Sequence, residues 1–133
     1  MHRICGTGLV LAVAVHVVAL WITSPPDVID ALLFVSPTPF SIWGVIALWA
    51  IFAAGFLAML RSRIRLRLQT WRRWHIGLVV SAVITSVAHA MLIEGTMEPI
   101  SKATLCALVL VAMIYVLKHE KYRGLMSPRY SKK

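Results

Sequence analysis

The sequence predicts an all-α fold, an integral membrane bundle of four transmembrane helices with both termini cytoplasmic. Three observations predict it. Of 133 residues, 59% are hydrophobic and 14% charged, a balance too apolar for a soluble domain. Four long runs are nearly free of charge, and a helix of roughly 20 apolar residues crosses a hydrocarbon core about 30 Å thick. Basic residues gather at alternate ends of those runs, the pattern of the positive-inside rule.

The first run extends from Ile4 to Ile22. Met1-His2-Arg3 before it resembles the start of a secretory signal, but the apolar stretch is too long and no A-x-A-like site closes it, which predicts a retained helix. The loop after it, "TSPPDVIDALLFVSPTPF" from Thr23 to Phe40, sets an apolar stretch between proline pairs. That pattern predicts a re-entrant or interface-lying turn of helix on the outer side. The second span covers about Phe40 to Leu60 and the third Trp74 to Ile93. The fourth, about Ala103 to Leu117, is short and begins beside Lys102, whose side chain can snorkel to the interface.

Charge sets the expected orientation. Arg61, Arg63, Arg65, Arg67, Arg72 and Arg73 lie between the second and third spans, and Lys118, Lys121, Arg123, Arg129, Lys132 and Lys133 follow the fourth. Both groups are expected in the cytoplasm. Asp27, Asp30, Glu94 and Glu98 occupy the opposite loops with Lys102, so four crossings satisfy the rule throughout. The net charge of +9 sits where helices leave the bilayer, which points to anionic lipid head groups and away from nucleic acid. The alternating arginines from Arg61 to Arg67 are either topogenic or a contact for an acidic cytoplasmic protein. Cys5 and Cys106 fall near opposite membrane faces in this topology, so no disulfide between them is expected.

Four of the five histidines lie in, or at the start of, apolar spans. Polar side chains there are costly and face the bundle interior. His2 and His16 are 14 residues apart, and so are His75 and His89. At about 100° and 1.5 Å per residue, that interval returns a side chain to within roughly 40° of one face, about 21 Å along the axis. The first and third spans run parallel in a four-crossing topology, so His2 lies level with His75 and His16 with His89. Two opposed imidazoles are what a six-coordinate haem iron takes on its axial faces. Zinc or copper normally gathers three or four ligands around one ion, a poor match to two imidazoles per level. Gly6, Gly8, Ala12, Ala14, Gly77, Ser86 and Ala88 near the histidines leave gaps for a flat macrocycle, or equally for close helix packing.

"TWRRWHIGLVVSAVITSVAHAMLIEGT", Thr70 to Thr96, resembles the W-R-x-x-H segment of the ferric reductase-like transmembrane domain, with its second histidine fourteen residues on. This is the membrane cytochrome b module of ferric reductases, NADPH oxidases and the haem subunit of the periplasmic methionine sulfoxide reductase system. "HRICGTGLVLAVAVHVVAL", His2 to Leu20, is similar to the partner helix. "FSIWGVIALWAIFAAGFLAMLRSRIRLRLQ", Phe40 to Gln69, is similar to the helix and basic loop leading into the second pair.

The resemblance implies a transmembrane haem domain over residues 1–118, with 119–133 a basic cytoplasmic tail. It implies axial ligation of haem iron by His2, His16, His75 and His89, and two b-type haems (haem b) passing electrons across the membrane. Arg72, Arg73 and Arg3 are then partners for haem propionates, the alternative being topogenic charge. Family members often have six spans, whereas this chain begins at the first ligand helix, with His2 beside Met1. The basic tail stands where a flavin and nicotinamide domain would follow, and the sequence carries no GxGxxG fingerprint.

The expected role is therefore an electron conduit, a haem subunit of an oxidoreductase located in a bacterial-type inner (plasma) membrane. Its donor is expected to be a separate cytoplasmic flavoprotein reductase or a membrane quinol, and its acceptor an outer-side species such as ferric iron, dioxygen or a periplasmic redox protein. His119 is read as a helix C-terminal cap or a donor-docking residue, Tyr115 as packing or an interface anchor, and the five tryptophans as an interfacial belt. The rival reading is a haem-free membrane transporter or assembly subunit whose histidines serve packing or proton relay.

Overall fold

Prolines set three of the helix starts, because a residue without an N–H costs nothing at a position where that donor has no partner. The computed structural model describes residues 2–63, 67–95 and 97–126, the side chains of Ser62 and of residues 120–126 excepted. Its helices are α1 (His2–Thr23), α2 (Pro25–Leu32), α3 (Pro39–Met59), α4 (Leu68–Leu92) and α5 (Pro99–Met126), with a 3-10 turn at Leu60–Ser62. No strand occurs among the described residues. All but α2 are long and apolar enough to cross a membrane, α5 over Pro99–His119. Arg65 of the basic loop and Arg129, Lys132 and Lys133 of the tail lie outside the described residues.

The helix in the first long loop is present as α2. Ser24 precedes it and donates from its hydroxyl to Asp27. The helix ends where Phe34 takes a left-handed φ of 59°, which lets the Phe34 and Val35 N–H groups bond the Ala31 and Asp30 carbonyls at 3.0 and 2.9 Å. The four spans differ from the apolar runs mainly at their ends. α4 starts at Leu68, six residues before Trp74, and α5 runs from Pro99 to Met126. Amphipathic residues such as Gln69 and Arg72 continue a helix through the interface, where hydropathy has already fallen.

α3 and α4 pack along their length. α3 buries Val45, Ala47, Ala50, Ile51 and Ala54, and α4 buries Ala82 and Thr85. Small residues on this seam let the two backbones approach closely, the usual basis of helix association in lipid. The buried Thr85 hydroxyl donates to its own helix, at 2.7 Å to the Ser81 carbonyl. α5 lies against α4, and α1 lies against α2 and α3 without an extended close approach to α4. No residue of α1 is buried.

Lys102, at the start of α5, holds the far end of α4. Its Nζ donates to the Ile93 carbonyl at 2.5 Å and the Met91 carbonyl at 3.4 Å. A cation on the last carbonyls of a helix satisfies orphan acceptors and complements the helix dipole. Gly95 makes the turn between the two helices with a φ of 76°, a conformation costly for residues with a Cβ.

Candidate functional site

The first and third long helices, α1 and α4, carry the four histidines that the sequence singles out, and the structure brings these together at two levels. At one level the His2 and His75 rings lie with centroids 6.2 Å apart and planes at 88°. At the other, His16 and His89 line one partly open cavity of about 430 Å³ among α1, α2, α3 and α4. The pairing of first with first and second with second means that α1 and α4 run in the same direction.

Between the levels lies an apolar waist. Ala50, Ile51 and Ala82 form its buried centre, and Val10 and Val13 of α1 pack against them. Ala82 is seven residues from both His75 and His89, about 10 Å along the helix from each. The Cβ that Gly55 lacks would stand 3.2 Å from a Val10 methyl, so α3 offers α1 a shallow groove there. α1 thus touches the core midway and stands off from α4 elsewhere.

His89 is held by α3. Its Nδ1 donates to the Phe40 carbonyl at 2.8 Å, which leaves Nε2 with a free lone pair, the form that ligates a metal. Gly44 makes this bond possible. A Cβ at that position would fall 2.7 Å from both Cε1 and Nδ1 of the ring, closer than non-bonded atoms approach. Phe40 itself meets the ring edge to face, with centroids 5.8 Å apart.

His75 is held differently. Its Nδ1 is buried and meets no partner at hydrogen-bond geometry, and the Ala54 backbone is the polar group that acts on the ring. Trp71 stacks on it with centroids 5.1 Å apart and planes within 9°. The Trp71 indole N–H donates to the Leu57 carbonyl at 3.1 Å, and Cζ of Arg61 stands 4.6 Å from the indole centroid, within cation–π range.

The remaining sequence candidates fall at the His2–His75 end. Arg3 and Arg73 are exposed and Arg72 is half-buried. His119 stacks on Tyr115 at 6.3 Å near the end of the α5 span, one turn apart on a single helix. Cys5 and Cys106 are free thiols. Hydropathy and histidine spacing gave no sign of Gly44, the Phe40 carbonyl, the Trp71 stack or a hydroxyl group at the cavity. In that group Ser36 lies 2.9 Å from Thr38 and 3.1 Å from Ser41, and Thr38 also bonds Ser41. All three line the cavity with His16 and His89. The cluster of hydroxyls in "SPTPFS" was the available signal.

The geometry fits a haem at the first level. A metal–imidazole bond of about 2 Å, with roughly 1 Å more to each ring centre, puts two axial rings about 6 Å apart. The His2–His75 separation matches that value. At the second level the cavity is of ligand size and apolar apart from its histidines, a carboxylate and hydroxyls. Among the described residues no three His, Cys, Asp or Glu side chains gather as a metal cluster, a requirement of zinc sites that bis-imidazole iron does not share.

Comparison with known proteins gives one match. The model of the ferric reductase like transmembrane component family matches residues 1–86, nearly two thirds of the chain. The match takes in His2, His16 and His75 and ends three residues short of His89. No curated protein and no solved structure matches.

Proposed function

Because the chain belongs to the ferric reductase like transmembrane component family, we propose that it carries electrons across a membrane through two b-type haems, each held between a histidine of α1 and a histidine of α4. The family is haem-binding and serves transmembrane electron transfer, and the protein is an integral membrane protein with four apolar helices. The observation that carries the finer reading is the two-level pairing, His2 with His75 and His16 with His89.

Haem bound at these levels supplies reversible one-electron transfer at potentials tuned by axial ligation, burial and hydrogen bonding. The chain's own residues hold, orient and insulate. The Phe40 carbonyl fixes the tautomer and ring of His89. The waist of Val10, Val13, Ala50, Ile51 and Ala82 keeps water from between the levels. Arg3, Arg72 and Arg73 offer guanidinium groups to propionates at the His2–His75 level, and the hydroxyls of Ser36, Thr38 and Ser41 offer hydrogen bonds at the other.

The arginine-rich loop supports a cytoplasmic placement of the His2–His75 level. A separate flavoprotein reductase or a membrane quinol delivers electrons there, and an outer-side acceptor such as ferric iron receives them beyond His16 and His89. A bacterial-type inner membrane is the expected location.

The test is haem stoichiometry in single and double variants of the full chain. Each of His2→Leu, His16→Leu, His75→Leu and His89→Leu lowers the content from about two haems to about one. His2→Leu with His75→Leu removes no more than either alone, whereas His2→Leu with His89→Leu removes both. Additive loss within a pair, or unchanged content in any single variant, contradicts the assignment.

A further inference from the structure

We propose that Trp71 is a positioning residue that fixes the ring plane of His75, and that Arg61 and the Leu57 carbonyl hold the indole in turn. The inference rests on His75 being an axial ligand. It begins from an asymmetry between the two α4 histidines. His89 has its orientation set by a hydrogen bond to Phe40, as metal-binding histidines usually do. His75 has no bond of full geometry at its buried Nδ1, only the looser approach of the Ala54 backbone, so a further contact is needed to set its plane.

Trp71 supplies that contact. It precedes His75 by four residues, the spacing that puts two helical side chains on one face, and the rings are nearly parallel at 5.1 Å. The indole is fixed by elements outside α4. Leu57 lies in the last turn of α3, where carbonyls lack helical partners, and one of them accepts the Trp71 N–H at 3.1 Å. Arg61 reaches the indole from the 3-10 turn at 4.6 Å. Rotation of His75 about its side-chain bonds would break the stack, while rotation of Trp71 would break both outside contacts.

The plane that results is perpendicular to His2, at 88°. In a ferric haem with two imidazoles, perpendicular ring planes leave the two iron dπ orbitals nearly equal in energy. The low-spin electron paramagnetic resonance signal is then strongly anisotropic, with one large g value. Parallel planes split those orbitals and give a rhombic signal, so the ring plane is directly measurable.

The experiment is electron paramagnetic resonance with redox titration on the purified, haem-loaded full chain, the His75→Leu variant serving to assign the signal of the His2–His75 level. The wild type shows a strongly anisotropic signal there. Trp71→Leu lowers or spreads its largest g value and shifts the midpoint potential of that haem, while the signal of the His16–His89 level stays unchanged. Trp71→Phe, which keeps a ring face against His75, restores the wild-type g value in part or in full. Trp71→Leu with both haems bound and both signals unchanged overturns the proposal. If Trp71→Leu loses the haem, Trp71→Phe decides: a retained anisotropic signal supports the clamp, and loss there as well overturns it. A wild-type chain without haem overturns the ligand assignment itself, a different failure from an unaltered signal in a haem-loaded variant.

Discussion

α4 meets its two neighbours, α3 and α1, in opposite ways. Toward α3 it presents Ala82 and Thr85 to a seam of Val45, Ala47, Ala50, Ile51 and Ala54, all buried. Toward α1 the same face presents His75, Ala82 and His89 to a helix with no buried residue. One side is filled by protein. The other meets its neighbour at the Val10–Val13 waist and leaves a cavity at the His16–His89 level. Small residues appear both in the seam, as its alanines, and away from it, as Gly6, Gly8 and Gly77, so residue size alone does not mark a helix interface. The seam differs in that its alanines are buried, whereas nothing lies within 4 Å of a Cβ at Gly6, Gly8 or Gly77.

Gly44 is the point where the filled side serves the open one, and it gives the largest expected effect. Gly44→Ala puts a methyl 2.7 Å from the His89 ring, displacing it from the Phe40 carbonyl. The expected outcome is a several-fold loss of haem at the His16–His89 level with the other level retained, read by haem count and spectrum. Retention of both haems with unaltered bands would break the link between seam and site.

Ala82→Leu tests the seam as packing. Three added carbons in the waist clash with Ala50 and Ile51 and with Val10 or Val13, and overpacking of this kind typically costs about 1–3 kcal/mol. Thermal denaturation in detergent should show a lower midpoint. An unchanged midpoint would mean that the waist is looser than the burial of Ala82 implies.

The smallest effect belongs to Gly77. In the haem-free chain Gly77→Ala meets nothing and removes a helix-weakening glycine, which favours the helix by roughly 0.5–1 kcal/mol. Gly77 lies two residues, about 200° around the helix, from His75, so in the haem-loaded chain the same exposed methyl faces away from the histidines and should leave haem retention unchanged. Equal gain in thermal stability with and without haem is the expected result; a loss of haem affinity in the variant would break the comparison by placing Gly77 on the histidine face.

Much of this was legible in the sequence because it depends on one helix at a time. The apolar runs located four spans, the prolines around "VIDALLFV" indicated α2, and the repeated interval of 14 gave the two histidine levels. The run ends were less legible. Trp74 marks a change in hydropathy, but the helix begins at Leu68 because its backbone bonds form equally well in the interface. The supports of the histidines were not legible at all. Gly44 lies in α3 and His89 in α4, 45 residues on, and nothing in "SIWGVIAL" announces that a ring from another helix passes over Gly44 to the Phe40 carbonyl. Trp71 reads from sequence as an interfacial tryptophan, a reading its half-buried position does not contradict, and only the contacts to Leu57, Arg61 and His75 show its further connections.

The central claim is that the open side of α4 holds two haems. The most direct measurement is a reduced-minus-oxidised visible spectrum of the purified full chain, expressed with ample haem supply, together with a pyridine haemochrome count. The account predicts sharp b-type bands and about two haems per chain. A chain that purifies folded and free of haem would contradict it, and would return His2, His16, His75 and His89 to packing or proton transfer within a four-helix membrane protein.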